Sequence, residues 1–360
     1  MEQSQFLTFI KKWFSATILV ILEKINGSEN KPNYLHEELL RTEFSVTGMW
    51  ETVQFDGTLV AADYVSLDSS LPLKSRDSMG SVTGKIPKMG LEKQKNEQEI
   101  TDLQTMQSQN VSETTLARRI FNDLETVIGG VKERNEASFL QGFSTGITLV
   151  QDDAKPGSAV RIDYGYKTEN KFGVSTVFSN VASTPLTDIQ TRILAKASVD
   201  GKQVTRIYTD LATMRNILKT NEAKDLYAVS IGNFGSTKPT PSAARLNEAV
   251  QAEYGFQFVV VDRSVTIEDK AGNRSTFKPW QTGMLAATTA DVVGALFYAT
   301  PAEQNARVAG VQYEVVDEYI LTSMFRVNRP SVAEITNAQA RVAPVVGTTV
   351  YTMDSLTVQA

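Results

Sequence analysis

Residues 66–98 read SLDSSLPLKSRDSMGSVTGKIPKMGLEKQKNEQ, and the rest of the chain is understood outward from this stretch. Only 8 of its 33 residues are apolar, against 41% for the whole 360-residue chain. Gly80, Gly84 and Gly90, with Pro72 and Pro87, interrupt any helical or alternating period. Between 74 and 95, Lys74, Arg76, Lys85, Lys88, Lys93 and Lys95 face only Asp77 and Glu92. A segment so poor in apolar residues buries too little surface to offset its own ordering, and a loop of this length is uncommon inside a compact domain. It reads either as disordered or as an extended arm whose partner surface lies elsewhere. The preferred reading is an arm that pairs with an acidic neighbouring subunit, which makes those six basic residues the candidate inter-subunit contacts. The run contains no aromatic residue, so it lacks the stacking platform of a single-strand nucleic-acid binder.

Upstream of the arm, residues 45–65 are β-rich, with a turn expected at Asp56-Gly57. Further upstream, Phe6, Ile10, Trp13, Phe14, Ile18, Ile21, Leu22 and Ile25 recur at helical spacing. The run WFSATILVIL at 13–22 is too short to span a bilayer and is closed by Glu23 and Lys24. An amphipathic helix docked on protein is expected at 6–25, in preference to an export signal.

Downstream, one long helix is expected over 112–141, with Ser112 as N-cap and a bend at Gly129-Gly130. Strands are expected over 143–182, with a turn at Lys155-Pro156-Gly157. From about 185 the pattern becomes mixed, with helices at Leu186–Ala197, Asp210–Lys219 (Asp210 as N-cap) and Ala243–Tyr254 (stopped by Gly255). Strands are expected at 204–208, 256–261, 265–267, 274–277, 283–289, 319–327, 345–351 and 356–358. A turn is expected at Asp269–Asn273.

Composition removes many chemistries. There is no cysteine, which excludes disulfides, thiolate metal sites and cysteine nucleophiles. The single histidine, His36, sits among Glu37, Glu38 and Arg41 and reads as part of a polar helical turn. A net charge of −5 argues against a general nucleic-acid binder. Gly142-Phe143-Ser144-Thr145-Gly146 matches G-x-S-x-G, but a helix precedes it and no histidine follows, so the match is taken as accidental. Gly80–Lys85 is one residue short of a phosphate loop and reads as a flexible basic turn. Asp262–Asn273 lacks calcium-loop spacing, and Asp152-Asp153 reads as a solvated turn. Asn26, Asn110 and Asn273 begin glycosylation sequons, which matter only in a secreted eukaryotic protein. No catalytic, cofactor-binding or metal site emerges.

Three stretches together carry a resemblance. The first runs from Val60-Ala-Ala-Asp-Tyr-Val65 through Leu71-Pro-Leu73 and Arg76-Asp77-Ser78 to Gly84-Lys-Ile-Pro-Lys88. The second is Leu246-Asn-Glu-Ala-Val250, Tyr254-Gly255, Phe258–Asp262, Asp269–Asn273, Phe277-Lys-Pro279 and Tyr298-Ala-Thr-Pro-Ala-Glu303. The third is Ala343-Pro344 followed by a valine-rich terminal strand. In this order, over about 45–360, they resemble the major capsid protein of tailed double-stranded-DNA bacteriophages. The fold is of the Hong Kong 97 type, and the closer likeness is to the lambda-like major capsid protein E family. The helix at 6–25 has no counterpart in that likeness.

The resemblance implies an α+β fold with an N-terminal arm at 1–44 and an extended loop at 45–98. A peripheral domain at 99–184 would carry a long spine helix, and an axial domain would span 185–307. A peripheral return strand at 308–342 and a C-terminal strand at 343–360 would complete it. It implies a structural protein, not an enzyme, that assembles through hexamers and pentamers into an icosahedral head around a double-stranded-DNA genome. Portal, scaffolding and decoration proteins would be its partners. Its location would be the virion capsid, assembled in the host bacterial cytoplasm with no membrane involved. Cross-linking through an arm lysine is not expected on the lambda-like branch. The alternative with the same fold is an encapsulin, a bacterial nanocompartment shell.

Overall fold

The structure is a computed structural model. It describes residues 1–27, 34–55, 79–109, 111–151, 159–233, 235, 238–268, 272–347 and 349–359. Lys74, Arg76, the Asp56-Gly57 turn, Asp152-Asp153, the Lys155–Gly157 turn and the tip of the 269–273 turn lie outside the described residues.

In chain order, α1 (Leu7–Gly27), α2 (Leu35–Leu39) and β1 (Leu40–Phe44) precede β2 (Met49–Phe55), β3 (Met79–Lys85) and β4 (Lys88–Lys95). Helices α3 (Glu97–Ser108), α4 (Glu113–Ile120) and α5 (Leu124–Thr145) follow, then β5 (Ile147–Gln151), β6 (Ala159–Asp163) and β7 (Lys171–Val174). A helical run joins α6 (Pro185–Asp188), a π-helical turn (Ile189–Leu194) and α7 (Ala195–Val199). Then come β8 (Arg206–Asp210), α8 (Leu211–Lys219), α9 (Asn221–Ser230) and α10 (Ala243–Tyr254). Strands β9 (Gln257–Val261), β10 (Val265–Glu268), β11 (Arg274–Phe277), β12 (Met284–Thr288) and β13 (Gly294–Ala299) lead to α11 (Ala302–Asn305). The last elements are β14 (Gln312–Val316), β15 (Ile320–Val327), β16 (Ala333–Val346) and β17 (Tyr351–Val358).

The chain divides into two compact units, 1–50 with 84–136 and 296–344, and 51–83 with 137–295 and 345–360. The expected grouping of 99–184 is therefore split at 136, inside α5. The first unit is built on a six-stranded sheet in the order β1-β13-β16-β15-β14, with β4 paired to β16. Residues 334–340 of β16 have β15 on one side and β4 on the other, both antiparallel. The strand is also buried on both faces: Ala338 and Ala340 on one and Gln339 on the other are nearly inaccessible. β4 falls within the stretch expected to be a coreless arm. Its eight residues are paired along β16, so this part of the stretch belongs to the sheet of the first unit. β2 and β3 pair as a separate two-stranded ribbon. The expected turn at 80–85 is thus a strand.

Helix α1 buries Ile10, Phe14, Ile18 and Ile21, with Phe6 just ahead of it, at the three- and four-residue spacing of one helical face. Each buried side chain of this size contributes about 1.5–3 kcal/mol. The ring of Phe14 lies 6.1 Å from that of Phe121. The helix expected over 112–141 is two helices. Ser112 caps α4 as expected, through its hydroxyl and the N–H of Thr115. The break falls at 121–123, however, and Gly129-Gly130 lies inside an uninterrupted α5 that runs to Thr145.

The second unit carries a five-stranded sheet in the order β7-β17-β12-β8-β9. β8 and β9 are parallel, as are β17 and β7, while β12 runs antiparallel to both β8 and β17. Ile207, Leu285, Tyr351 and Met353 from the strands meet Ile189, Ile193, Ile217, Leu246 and Val250 from the helices in one core. Phe143 stacks on Phe139 at 5.3 Å and meets Tyr208 and Trp280 edge-on at 5.1 and 5.7 Å. Asp210 caps α8 as expected, accepting from Thr213 N–H at 3.0 Å. Elements α3, α9, α11 and β13 are among those not foreseen.

Candidate assembly interface

The candidate contact residues that are described fall into two groups. Lys85 ends β3 and Lys88 begins β4, and both are exposed. Lys88 lines an open groove of about 440 Å³ together with Met1, Glu92, Glu303, Asn337 and Gln339. Lys93 is half-buried. Lys95 is buried and committed within its own unit. Its ammonium donates to Asn122 Oδ1 at 2.7 Å and pairs with Asp123, and it stands opposite Glu334 in the β4–β16 register. Burial raises the Glu334 carboxyl above its ordinary range, against the pull of Gln5 N–H, Ser4, Arg326 and Lys95.

The residues where β2 begins and β3 ends are tightly packed. Trp50 is 2% exposed. A Cβ built on Gly84 would lie 2.7 Å from Cε2, Cζ2 and Nε1 of its indole, so the glycine backbone lies flat against the ring. The N–H of Ile86 donates to the carbonyl of Gly48 at 3.0 Å, and Ile86 is buried. Gly48 has a φ of +70°, and the guanidinium of Arg341 fills the space a side chain would take.

A second polar cluster was missed from sequence. His36 lies on a helical turn, α2, as expected, but it is inaccessible, and its Nδ1 lies 2.6 Å from Oε2 of Glu136, itself inaccessible. The same carboxylate accepts from the N–H groups of Leu35 and His36, both at 3.1 Å, and so caps α2 from α5. One turn earlier on α5, Lys132 donates to Glu37 at 2.9 Å and pairs with Asp317 at 2.6 Å. Burial alone would lower the Lys132 pKa. Asp317 and Glu37 outweigh it and hold the ammonium above its ordinary range. Asp317 and Glu318 both have positive φ, in the turn between β14 and β15. The partners of this cluster are about a hundred residues or more apart in sequence, so no local motif reveals it. Buried charges with opposite partners here tie α2 and a strained turn to α5.

The G-x-S-x-G match has a packing explanation. Ser144 is inaccessible near the end of α5, and its hydroxyl donates to the carbonyl of Leu140 at 2.9 Å. A Cβ on Gly142 would come within 2.2 Å of the Tyr164 ring. A nucleophile elbow instead exposes its serine after a strand. Among the described residues, no group of three or more histidine, aspartate or glutamate side chains is placed to hold a metal ion. None of the described helices is long and apolar enough to cross a membrane.

No family model matches the sequence, and no curated protein does. Solved structures do share its fold. A protein assigned as a prophage capsid protein of E. coli CFT073 aligns over 94% of this chain and 98% of its own, with a TM-score of 0.55 and 11% identity. A phage-related protein of Bordetella bronchiseptica RB50 aligns over 94% of this chain and 96% of its own, with a TM-score of 0.51 and 12% identity. The chain therefore has the mixed helix-and-sheet fold of the phage capsid class, the fold that the sequence resemblance implied.

Proposed function

We propose that this chain is the major capsid protein of a tailed bacteriophage, a structural subunit that works through interfaces and not through a catalytic pocket. The observation that carries this reading is the fold shared with the prophage capsid protein of E. coli CFT073 over nearly the full length of both chains. The ribbon of β2 and β3 supports it. A two-stranded hairpin is marginal alone and needs a surface to cover it. Supplied by another copy, that surface makes a head-to-tail contact, and such contacts close into rings when the rotation allows. Hexamers and pentamers joined through further contacts would form an icosahedral head around double-stranded DNA. The unit containing β16 would be peripheral and the unit containing β17 axial. Lys74, Arg76, Lys85, Lys88, Lys93 and Lys95 are the contact candidates, although the Lys95 ammonium already has partners in its own unit. Portal and scaffolding proteins, with a decoration protein, complete the expected partner set, and assembly is assigned to the host cytoplasm.

The test is electron microscopy of the purified protein after size-exclusion chromatography, alone and co-expressed with the genes beside its own. Closed shells or rings of five and six subunits support the reading. A compact monomer in every preparation overturns it. Portal and packaging genes among the neighbours favour a phage head, whereas a cargo gene beside it favours an encapsulin.

A further inference from the structure

The groove of about 440 Å³ beside Lys88 lies wholly within the first unit, and what it can bind does not depend on the shell reading. Strand register sets its floor. Asn337 stands opposite Glu92 and Gln339 opposite Gly90, so these positions share one face of the β4–β16 pair. Gly90 contributes no side chain there: a Cβ built on it would lie 3.2 Å from that of Gln339. Gln339 is 2% exposed and Asn337 9%. Asn337 Nδ2 donates to Glu92 Oε1 at 2.7 Å. That bond fixes which way the Asn337 amide faces, because an ionised carboxylate only accepts. Oδ1 of Asn337 and Oε1 of Gln339 have no hydrogen-bond partner among the described residues. Each costs the fold the lost hydration of an acceptor, and native structures leave few such groups.

Both unserved groups are acceptors, so a ligand must bring N–H or O–H donors. Glu92 and Glu303 outnumber Lys88 in the lining and favour a cation. The two amides sit on alternate residues of one strand, at backbone positions about 6.5 Å apart, which suits a flat group with donors along its edges better than a point charge. A guanidinium carries five N–H donors in one plane and no acceptor, and it is more weakly hydrated than an ammonium. The volume falls in the range of small-molecule sites. We propose that this groove binds a small guanidinium compound, held by the side-chain carbonyl oxygens of Gln339 and Asn337 and balanced in charge by Glu92 and Glu303. Lys88, on the rim, opposes it.

The test titrates methylguanidinium chloride into the unassembled full chain and follows the side-chain amide signals of Asn337 and Gln339 by nitrogen-15 NMR. The shifts should saturate, and sodium chloride at the same ionic strength should not reproduce them. Gln339→Met, close in length but without the carbonyl, should weaken binding at least tenfold, read at Asn337. Lys88→Met should tighten it at least threefold at low salt. Should Gln339→Met not fold, Glu303→Gln changes only a rim charge and should weaken binding at least threefold. Shifts that do not saturate overturn the proposal. So does an affinity unchanged in folded Gln339→Met or in Glu303→Gln. Putrescine binding as tightly as methylguanidinium overturns it too, because the groove would then be a general cation surface. The readout is binding by a single subunit, so a failure here leaves the shell reading untouched, and a failure to form shells leaves this site untouched.

Discussion

Gly130 and Leu91 meet at a point where α5 has no side chain to offer: a Cβ on Gly130 would lie 2.7 Å from Cδ2 of Leu91. Its neighbour Gly129 has nothing within 4 Å of the same position. Two adjacent glycines in one helix should therefore respond oppositely. Gly129→Ala should stabilise by up to about 1 kcal/mol through helix propensity. Gly130→Ala should lose most of that gain to contact with Leu91, and Gly130→Val should destabilise by about 1–3 kcal/mol through overpacking. Urea unfolding midpoints of the three variants check the order, and a stabilised Gly130→Val would contradict the packing argument.

The His36–Glu136 pair is inaccessible on both sides. His36→Ala should destabilise by about 1–3 kcal/mol, because it takes one of three hydrogen bonds from the buried Glu136 side chain and leaves the two from the Leu35 and His36 N–H groups. His36→Leu combined with Glu136→Leu should cost less than either single change. A double-mutant cycle measured by denaturant unfolding decides this. Additive losses would mean that the two groups do not depend on each other.

Stability should fall above about pH 10. Burial raises the pKa values of Tyr164, Tyr166 and Tyr319, and Lys132 is held high by Asp317 and Glu37. Each group keeps its proton in the folded protein at a pH where the unfolded chain has begun to lose it, above about 10 for tyrosine and 10.4 for lysine. The folded state then binds more protons, so these contributions are whole at neutral pH and are lost as pH rises. Lys132→Met should lower stability at pH 7 and make the alkaline decline shallower. Circular dichroism melts between pH 7 and 12 provide the comparison.

Asp210 serves two elements at once. Its Oδ2 accepts from Thr213 N–H at 3.0 Å, and its Oδ1 accepts from Gly283 N–H at 3.0 Å and from the Thr213 hydroxyl at 2.6 Å. Asp210→Ala removes a helix cap and leaves a buried N–H unpaired, for a loss of about 2–4 kcal/mol. Hydrogen exchange should quicken at Thr213 and Gly283 together. Faster exchange at Thr213 alone would reduce the residue to a simple cap.

Local signals were legible where the chain announces its own boundaries. Asp210, Ser112 and Gly255 fell where helices start or stop, and the hairpin of β10 and β11 formed on either side of its turn. The phage capsid fold was legible from the order of several weak stretches. The failures share a cause, which is distance along the chain. Gly129-Gly130 reads as a bend until Leu91 is known to lie against it. His36 reads only as part of a polar helical turn until Glu136 arrives beside it. Lys95 reads as a free basic residue until Asp123 and Glu334 enclose it. The helix α9 was hidden for a different reason. Thr220 ends α8, with its hydroxyl donating to the Ile217 carbonyl at 2.7 Å, and the same oxygen accepts from Ala223 N–H at 3.3 Å to start α9. With one residue serving as both stop and start, no glycine, proline or loop marks the junction.

The position of β17 bears on the order of events during synthesis. It lies between β7 and β12, so until residue 358 has been made the second unit's sheet exists as two pieces, one strand on one side and β12-β8-β9 on the other. Both pieces then carry an open edge where β17 belongs. A ribosome that stalls before residue 351 leaves a product whose sheet cannot close.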